Sequence, residues 1–165
     1  MDEKALIKKA KSGDRESFAE LYTIYRDRLY RYAVFKVGDQ LAADAVSECI
    51  TRAWSSIGSL RDSSAFQGWI FRILYRVCAD QIREQIARRE ISDIDDTVIS
   101  YSEGFERLEL AEALSLLSAE ERDIVLLSAV SGFNSREIGR LLGLRAATVR
   151  SKLSRSLKKM REFLE

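Results

Sequence analysis

A chain of 165 residues holds one ordinary domain or two small ones. Its lack of histidine removes the commonest general base and metal ligand, so an enzyme would have to work through carboxylates, Lys or Tyr; no arrangement of these suggests one, and no enzyme, metal site or cofactor is expected. No apolar run approaches the ~20 residues of a membrane span and MDEKALIKKAK lacks a signal-peptide core, which makes the cytoplasm the expected location. The net charge of +1 conceals a division: residues 1–89 carry 16 Lys/Arg against 12 Asp/Glu, residues 90–123 two against 11, and residues 132–165 nine against three. Two basic ends around an acidic middle suit a protein that touches nucleic acid at both ends.

There is no proline, and most of the eight glycines fall between apolar-periodic runs, which predicts an all-α protein. Met1 to Lys11 forms a short amphipathic helix stopped at Ser12-Gly13. Asp14 caps a second helix, to about Lys36, with Phe18, Leu21, Tyr22, Tyr25, Leu29 and Tyr32 on one side. After the break at Gly38-Asp39, a third helix from about Leu41 to Ser56 turns Ala45, Val46, Cys49, Ile50, Ala53 and Trp54 to a core. Asp44, Ser47, Glu48, Thr51 and Arg52 share its other side, as either a solvated face or a partner surface. Cys49 and Cys78 sit far apart inside helical patterns and read as buried free thiols.

Residues 56–69 form a Ser/Gly-rich loop leading into a long helix that continues to about Arg89, with Ile70, Ile73, Leu74 and Val77 as its core. At about 100° per residue, Arg72, Arg76 and Arg83 fall within about 40° of one another, roughly opposite that core, with Tyr75 and Trp69 towards the edges. Aromatics beside arginines suit stacking of unpaired bases and neutralisation of phosphates; the alternative is a core tryptophan beside solvated arginines. Residues 90–105 are acidic and have neither helical nor strand periodicity, so 90–106 reads as a flexible linker between domains at 1–89 and 107–165. Beyond it, Leu108, Leu110, Ala111, Leu114 and Leu117 mark one helix. Ser118 opens a capping box (SAEE) for the next, which carries Ile124, Val125, Leu127 and Val130.

The stretch NSREIGRLLGLRAATVRSKLSRSLKKMR, residues 134–161, reads as two helices around a tight turn. Asn134 and Glu137 form a capping box, Ile138, Leu141 and Leu142 make an apolar face, and Gly143 supplies the positive φ that ends the helix. Gly139 inside that helix costs about 1 kcal/mol against Ala, which makes sense where a second helix crosses at close range. The second helix, from about Ala146, buries Val149, Leu153 and Leu157 and leaves Arg150, Ser151, Ser154, Arg155 and Lys158 on other faces. This is a helix-turn-helix pattern, whose second helix enters a major groove.

Together these stretches resemble the extracytoplasmic-function (group 4) sigma factors of bacterial RNA polymerase, over nearly the whole chain. SFAELYTIYRDRLYRYA, residues 17–33, looks like region 2.1, and ADAVSECITRAW, residues 43–54, like region 2.2. SAFQGWIFRILYRVCADQIRE, residues 64–84, looks like regions 2.3 and 2.4, and residues 117–164 look like region 4. The resemblance implies two small helical domains, sigma region 2 and sigma region 4, joined by the acidic linker, which would thread the RNA-exit path of the polymerase. It places Asp44, Ser47, Glu48 and Arg52 against the clamp helices of the polymerase β′ subunit, with Ser47 standing where the family has glutamine. It places Ser63 and Ser64 of the loop, with Trp69, Arg72, Arg76 and Arg83, at the minus-10 element, whose non-template bases flip out of the stack. Arg76 stands where the family often has Asn, which affects the choice of captured base.

In region 4 the resemblance sets Arg150, Ser151, Ser154 and Arg155 against base edges of the minus-35 element, and Arg145, Thr148, Lys152 and Lys158 against phosphates. The partners it implies are core polymerase, including the β flap, promoter DNA and an anti-sigma factor, with no membrane span. A stand-alone helix-turn-helix regulator is the alternative. It is disfavoured because the N-terminal half has no evident dimerisation helix and carries its own basic-aromatic surface.

Overall fold

The structure is a computed structural model and describes residues 2–92 and 105–165. Every regular element among them is helical, and the chain divides into two compact units, Met1–Ser100 and Tyr101–Glu165.

The first unit begins with α1 (Glu3–Lys11), whose N-cap Asp2 accepts from the Lys4 amide at 2.9 Å and whose Leu6, Ile7 and Ala10 are buried. Asp14 caps α2 (Arg15–Val37) and also accepts from the Ser17 hydroxyl at 2.7 Å, so Ser17 is buried without being orphaned. Gly38 ends α2 and opens α3 (Asp39–Ser56) in one residue, at φ 87°, a left-handed conformation that favours glycine. Small side chains on α3, namely Ala42, Ala45, Cys49 and Ala53, are fully buried and let it lie close against its neighbours. Two short 3-10 turns, Ile57–Ser59 and Ser63–Ala65, then lead into α4 (Phe66–Ser92).

Ile70, Leu74 and Val77 of α4 are buried as the periodicity requires, whereas Ile73 is only half-buried. The buried face is wider than the expected one and includes Phe66, Phe71 and Cys78. Phe71 meets the buried Tyr32 edge to face at 6.2 Å, and Phe66 meets Tyr25 at 5.2 Å. Both cysteines are buried and outside any disulfide; burial holds the Cys49 thiol up at about 12, and Cys78 adds to that.

The second unit contains α5 (Phe105–Ser115), α6 (Ala119–Ala129), α7 (Ser135–Leu142) and α8 (Ala146–Leu164). Both expected capping boxes form, Ser118 with Glu121 and Asn134 with Glu137. The core is built from Leu114, Leu117, Ile124, Leu127, Phe133, Ile138 and Val149. Three expected core residues are exposed: Leu108, Leu110 and Leu157. On α8 the buried stripe passes through Val149, Ser156 and Met160, with Leu153 half-buried, and Leu157 lies about 80° from Val149. Ser156 is tolerated there because its hydroxyl donates to Glu121 at 3.2 Å. Of the expected linker, residues 93–104 lie outside the described residues, while its ends belong to α4 and α5.

Candidate nucleic-acid and partner interfaces

The tight turn between α7 and α8 depends on two glycines. Gly143 takes φ 74°, and the Leu144 amide donates back to the Gly139 carbonyl at 2.9 Å. A Cβ on Gly139 would stand 2.5 Å from the Leu144 carbonyl oxygen, a backbone atom that cannot swing aside. The close approach expected at Gly139 is therefore real, but what fills it is the turn leading into α8.

This turn sets α8 with Val149, Ser156 and Met160 inward. Relative to Val149, Ser151, Ser154, Arg155 and Lys158 project about 140° to 240° away, and all four are exposed. Arg150, about 100° round, is exposed too, and Thr148 is half-buried on the opposite flank. Arg155 folds along the helix, its Nε donating to the Ser151 carbonyl at 3.4 Å. Lys152 departs from the group: it lies about 60° from the buried side, is half-buried, and its Nζ pairs with Glu120 of α6. Glu121 beside it accepts from Ser156 and lies 3.7 Å from Lys159, so α6 and α8 are tied by polar groups. The Ser118 amide, donating within the capping box, holds the Glu121 carboxyl below its usual range, with Lys159 adding to it.

The first turn of α8 has no side-chain cap, although the neighbouring α6 and α7 both carry capping boxes. Arg145 occupies the cap position, exposed and extended. Uncapped amides at a helix start, beside an arginine, offer donors to a phosphate.

In the first unit, Asp62 caps the 3-10 turn by accepting from the Ser64 amide at 3.0 Å, and hydrogen bonding from Ser64 lowers its carboxyl pKa. Ser63 and Ser64 line a concavity of about 360 Å³ together with Gln67, Tyr25 and Glu3. The Tyr25 hydroxyl donates to Glu3, and burial pushes the phenol pKa up, with Glu3 adding to it. Trp69 is half-buried with its ring 5.8 Å from Phe66, so it is both core-anchored and partly open. Arg76 and Arg83 are exposed and Arg72 is half-buried, on one side of α4.

On α3, Asp44, Ser47, Glu48, Thr51 and Arg52 all lie exposed on one face. Arg52 donates to Glu48 at 3.0 Å, the main cause of its raised pKa, and reaches Asp80 of α4 at 3.5 Å. A second concavity, of about 310 Å³, opens beside Ser47 between Tyr22, Tyr30 and Val46. Asp80 was not expected at either surface, although its i, i+3 spacing to Arg83 was readable. Among the described residues no cluster of His, Cys, Asp and Glu could hold a metal ion, and no helix is long and apolar enough to cross a membrane.

Residues 21–89 match the family described as Sigma-70 region 2, and residues 107–160 match Sigma-70, region 4. The RNA polymerase sigma factor SigV of Bacillus subtilis is 32% identical over 84% of this chain and 86% of its own length. The chain belongs to the sigma-70 family, within its extracytoplasmic-function group. This sigma factor is also similar to the ECF sigma factor SigW of the same organism, at 26% identity over 98% of the chain and 96% of the relative. Against the ECF sigma factor BldN of Streptomyces coelicolor it is 25% identical over 96% of its length, and spans 64% of that relative.

Two solved structures share the fold. CnrH, in complex with the cytosolic domain of CnrY, superposes with TM-score 0.70 at 22% identity, covering 98% of this chain and 96% of that one. The sigma factor RpoE of Bartonella quintana, in complex with the anti-sigma factor NepR, gives 0.76 at 24%, covering 90% and 97%. The region 2 match contains α3 and most of α4, to Arg89, but begins within α2, so α1, which lines the concavity at Ser63 and Ser64, lies outside it.

Proposed function

We propose that this sigma factor joins core RNA polymerase in the cytoplasm, directs it to promoters with separate minus-35 and minus-10 elements and helps melt the DNA, without being an enzyme itself. The observation that carries the bipartite reading is that each unit presents its own arginine-bearing face: Arg150 and Arg155 on α8, and Arg72, Arg76 and Arg83 on α4. Arg150, Ser151, Ser154 and Arg155 meet base edges of the minus-35 element, where Arg to guanine is the commonest specific contact. Arg145, Thr148, Lys158 and the uncapped first turn of α8 hold phosphates; Lys152 reaches one only by leaving Glu120.

The concavity at Ser63 and Ser64 receives an unstacked minus-10 base, while Trp69, Arg72, Arg76 and Arg83 hold the strand around it. Unstacking costs a few kcal/mol per base, which pocket and phosphate contacts offset. Asp44, Ser47, Glu48 and Arg52 dock on the β′ clamp helices, region 4 engages the β flap, and an anti-sigma factor holds the protein in reserve. Run-off transcription with core polymerase on a genomic promoter library tests this. Transcripts sharing two spaced elements are expected. Their absence, with binding of the isolated protein to single operator-like sites, would sink it. Replacing Asp44 and Glu48 together with Lys should weaken competition for core enzyme while leaving the helical signal intact.

A further inference from the structure

Two faces of the first unit, the polar side of α3 and the arginine side of α4, are joined by a carboxylate. Asp80 accepts from Nη2 of Arg83, three residues on, through Oδ1, while its Oδ2 lies 3.5 Å from Nη2 of Arg52. Arg52 is itself divided, its Nε donating to Glu48 at 3.0 Å. Charges alternate from Glu48 through Arg52 and Asp80 to Arg83, and they cancel. Among the described residues, Arg72 and Arg76 have no acidic partner, so Arg83 is the stripe arginine held by a carboxylate. Its side chain is nonetheless 75% exposed.

We propose that Asp80 is a positioning residue that holds Arg83 off single-stranded DNA in the free sigma factor and yields it once the α3 face is occupied. This rests on the functions proposed above for those two faces. The physical argument is competition for shared charges. When a basic group of a partner draws Glu48 away, Arg52 turns wholly towards Asp80, and the hold of Asp80 on Arg83 weakens. A phosphate then replaces the carboxylate at the guanidinium. A pair this exposed is weak enough to be displaced, so it grades binding without blocking it.

The test measures affinity for a fluorescent single-stranded oligonucleotide of mixed sequence, with the free sigma factor and with the holoenzyme. In the free protein, Asp80→Asn should tighten binding about two- to fivefold, the scale of an exposed ion pair. It should also steepen the logarithmic salt dependence by about 0.7, the value for one further single-strand phosphate. Asp80→Glu, which keeps the charge, should bind as the natural protein does. In the holoenzyme the advantage of Asp80→Asn should fall towards one, and adding Arg83→Gln should erase it in the free protein.

No gain from Asp80→Asn, or a gain that survives Arg83→Gln or persists undiminished in the holoenzyme, would overturn the inference. Should Asp80→Asn fail to fold, Arg83→Gln alone decides: the expected loss is smaller in the free protein than in the holoenzyme, and equal losses overturn it. A natural protein that never joins core polymerase would refute the proposed function instead. The free-protein measurements tell that failure apart, because they involve no polymerase.

Discussion

α4 and α8 both offer arginines to solvent, but they are anchored by different physics. Behind α4 stand large rings: Phe66 against Tyr25 at 5.2 Å, and Phe71 against the fully buried Tyr32. α8 is fixed by the turn at Gly139 and by polar ties to α6, from Lys152 to Glu120 and from Ser156 and Lys159 to Glu121. Each buried ring is worth roughly 1.5–3 kcal/mol, whereas a neutral hydrogen bond nets about 1 and an exposed ion pair less. The helix proposed to hold unstacked bases thus has a stiff apolar footing. The helix proposed to read a duplex has its angle set by a few directional contacts.

That contrast can be broken from either side. The largest effect should come from Phe71→Ala, which removes a fully buried ring that meets Tyr32 and should cost about 3–5 kcal/mol. Denaturant unfolding followed by fluorescence should show an early transition in the first unit, and a shift below about 1 kcal/mol would mean the aromatic footing is not the anchor. Next comes Gly139→Ala, where the added Cβ would meet the Leu144 carbonyl oxygen at 2.5 Å, and overpacking of this kind costs about 1–3 kcal/mol. It should also re-aim α8, lowering minus-35 binding more than minus-10 binding; equal losses would make the glycine a matter of stability alone.

Arg155→Ala changes neither footing. It should cost about 1–3 kcal/mol at a cognate minus-35 site and relax preference at one base pair. A uniform loss on all duplexes would reduce Arg155 to a phosphate contact.

Local chemistry made much of this legible from residues alone. Asp14, Ser118 and Asn134 are caps with their partners two or three positions away, and Gly143 needs its positive φ whatever surrounds it. What stayed hidden depends on which neighbour comes to lie beside a helix. Leu157 carries an apolar side chain at a plausible step, yet Ser156 took the buried place because Glu121 of another helix accepts its hydroxyl. Phe71 lies outside the aliphatic stripe and is buried because α4 is packed over a wider arc than that stripe suggests. At the site, the exposed arginines and serines were readable from periodicity. The carboxylates that hold two of the cations were harder to see, since Glu120 meets Lys152 across 32 residues of chain. Asp80 was within reach as the i−3 neighbour of Arg83, but its link to Arg52 spans 28 residues.

The smallest predicted effect sharpens that last distinction. Lys152 and Lys158 look equivalent in the sequence, two lysines on a basic helix. In the structure Lys152 pairs with Glu120, whereas Lys158 is exposed on the side away from the core. Lys158→Ala should reduce the slope of log affinity against log salt on duplex DNA by about 0.9, one phosphate's worth. Lys152→Ala should leave that slope nearly unchanged, because its charge is already compensated, and should lower stability by about 0.2–1 kcal/mol through the lost tie to α6. A full unit of slope lost from Lys152→Ala would mean that DNA takes the lysine from Glu120. The polar tie would then belong only to the free protein, as proposed for Asp80 and Arg83, and both helices proposed to bind DNA would share one device.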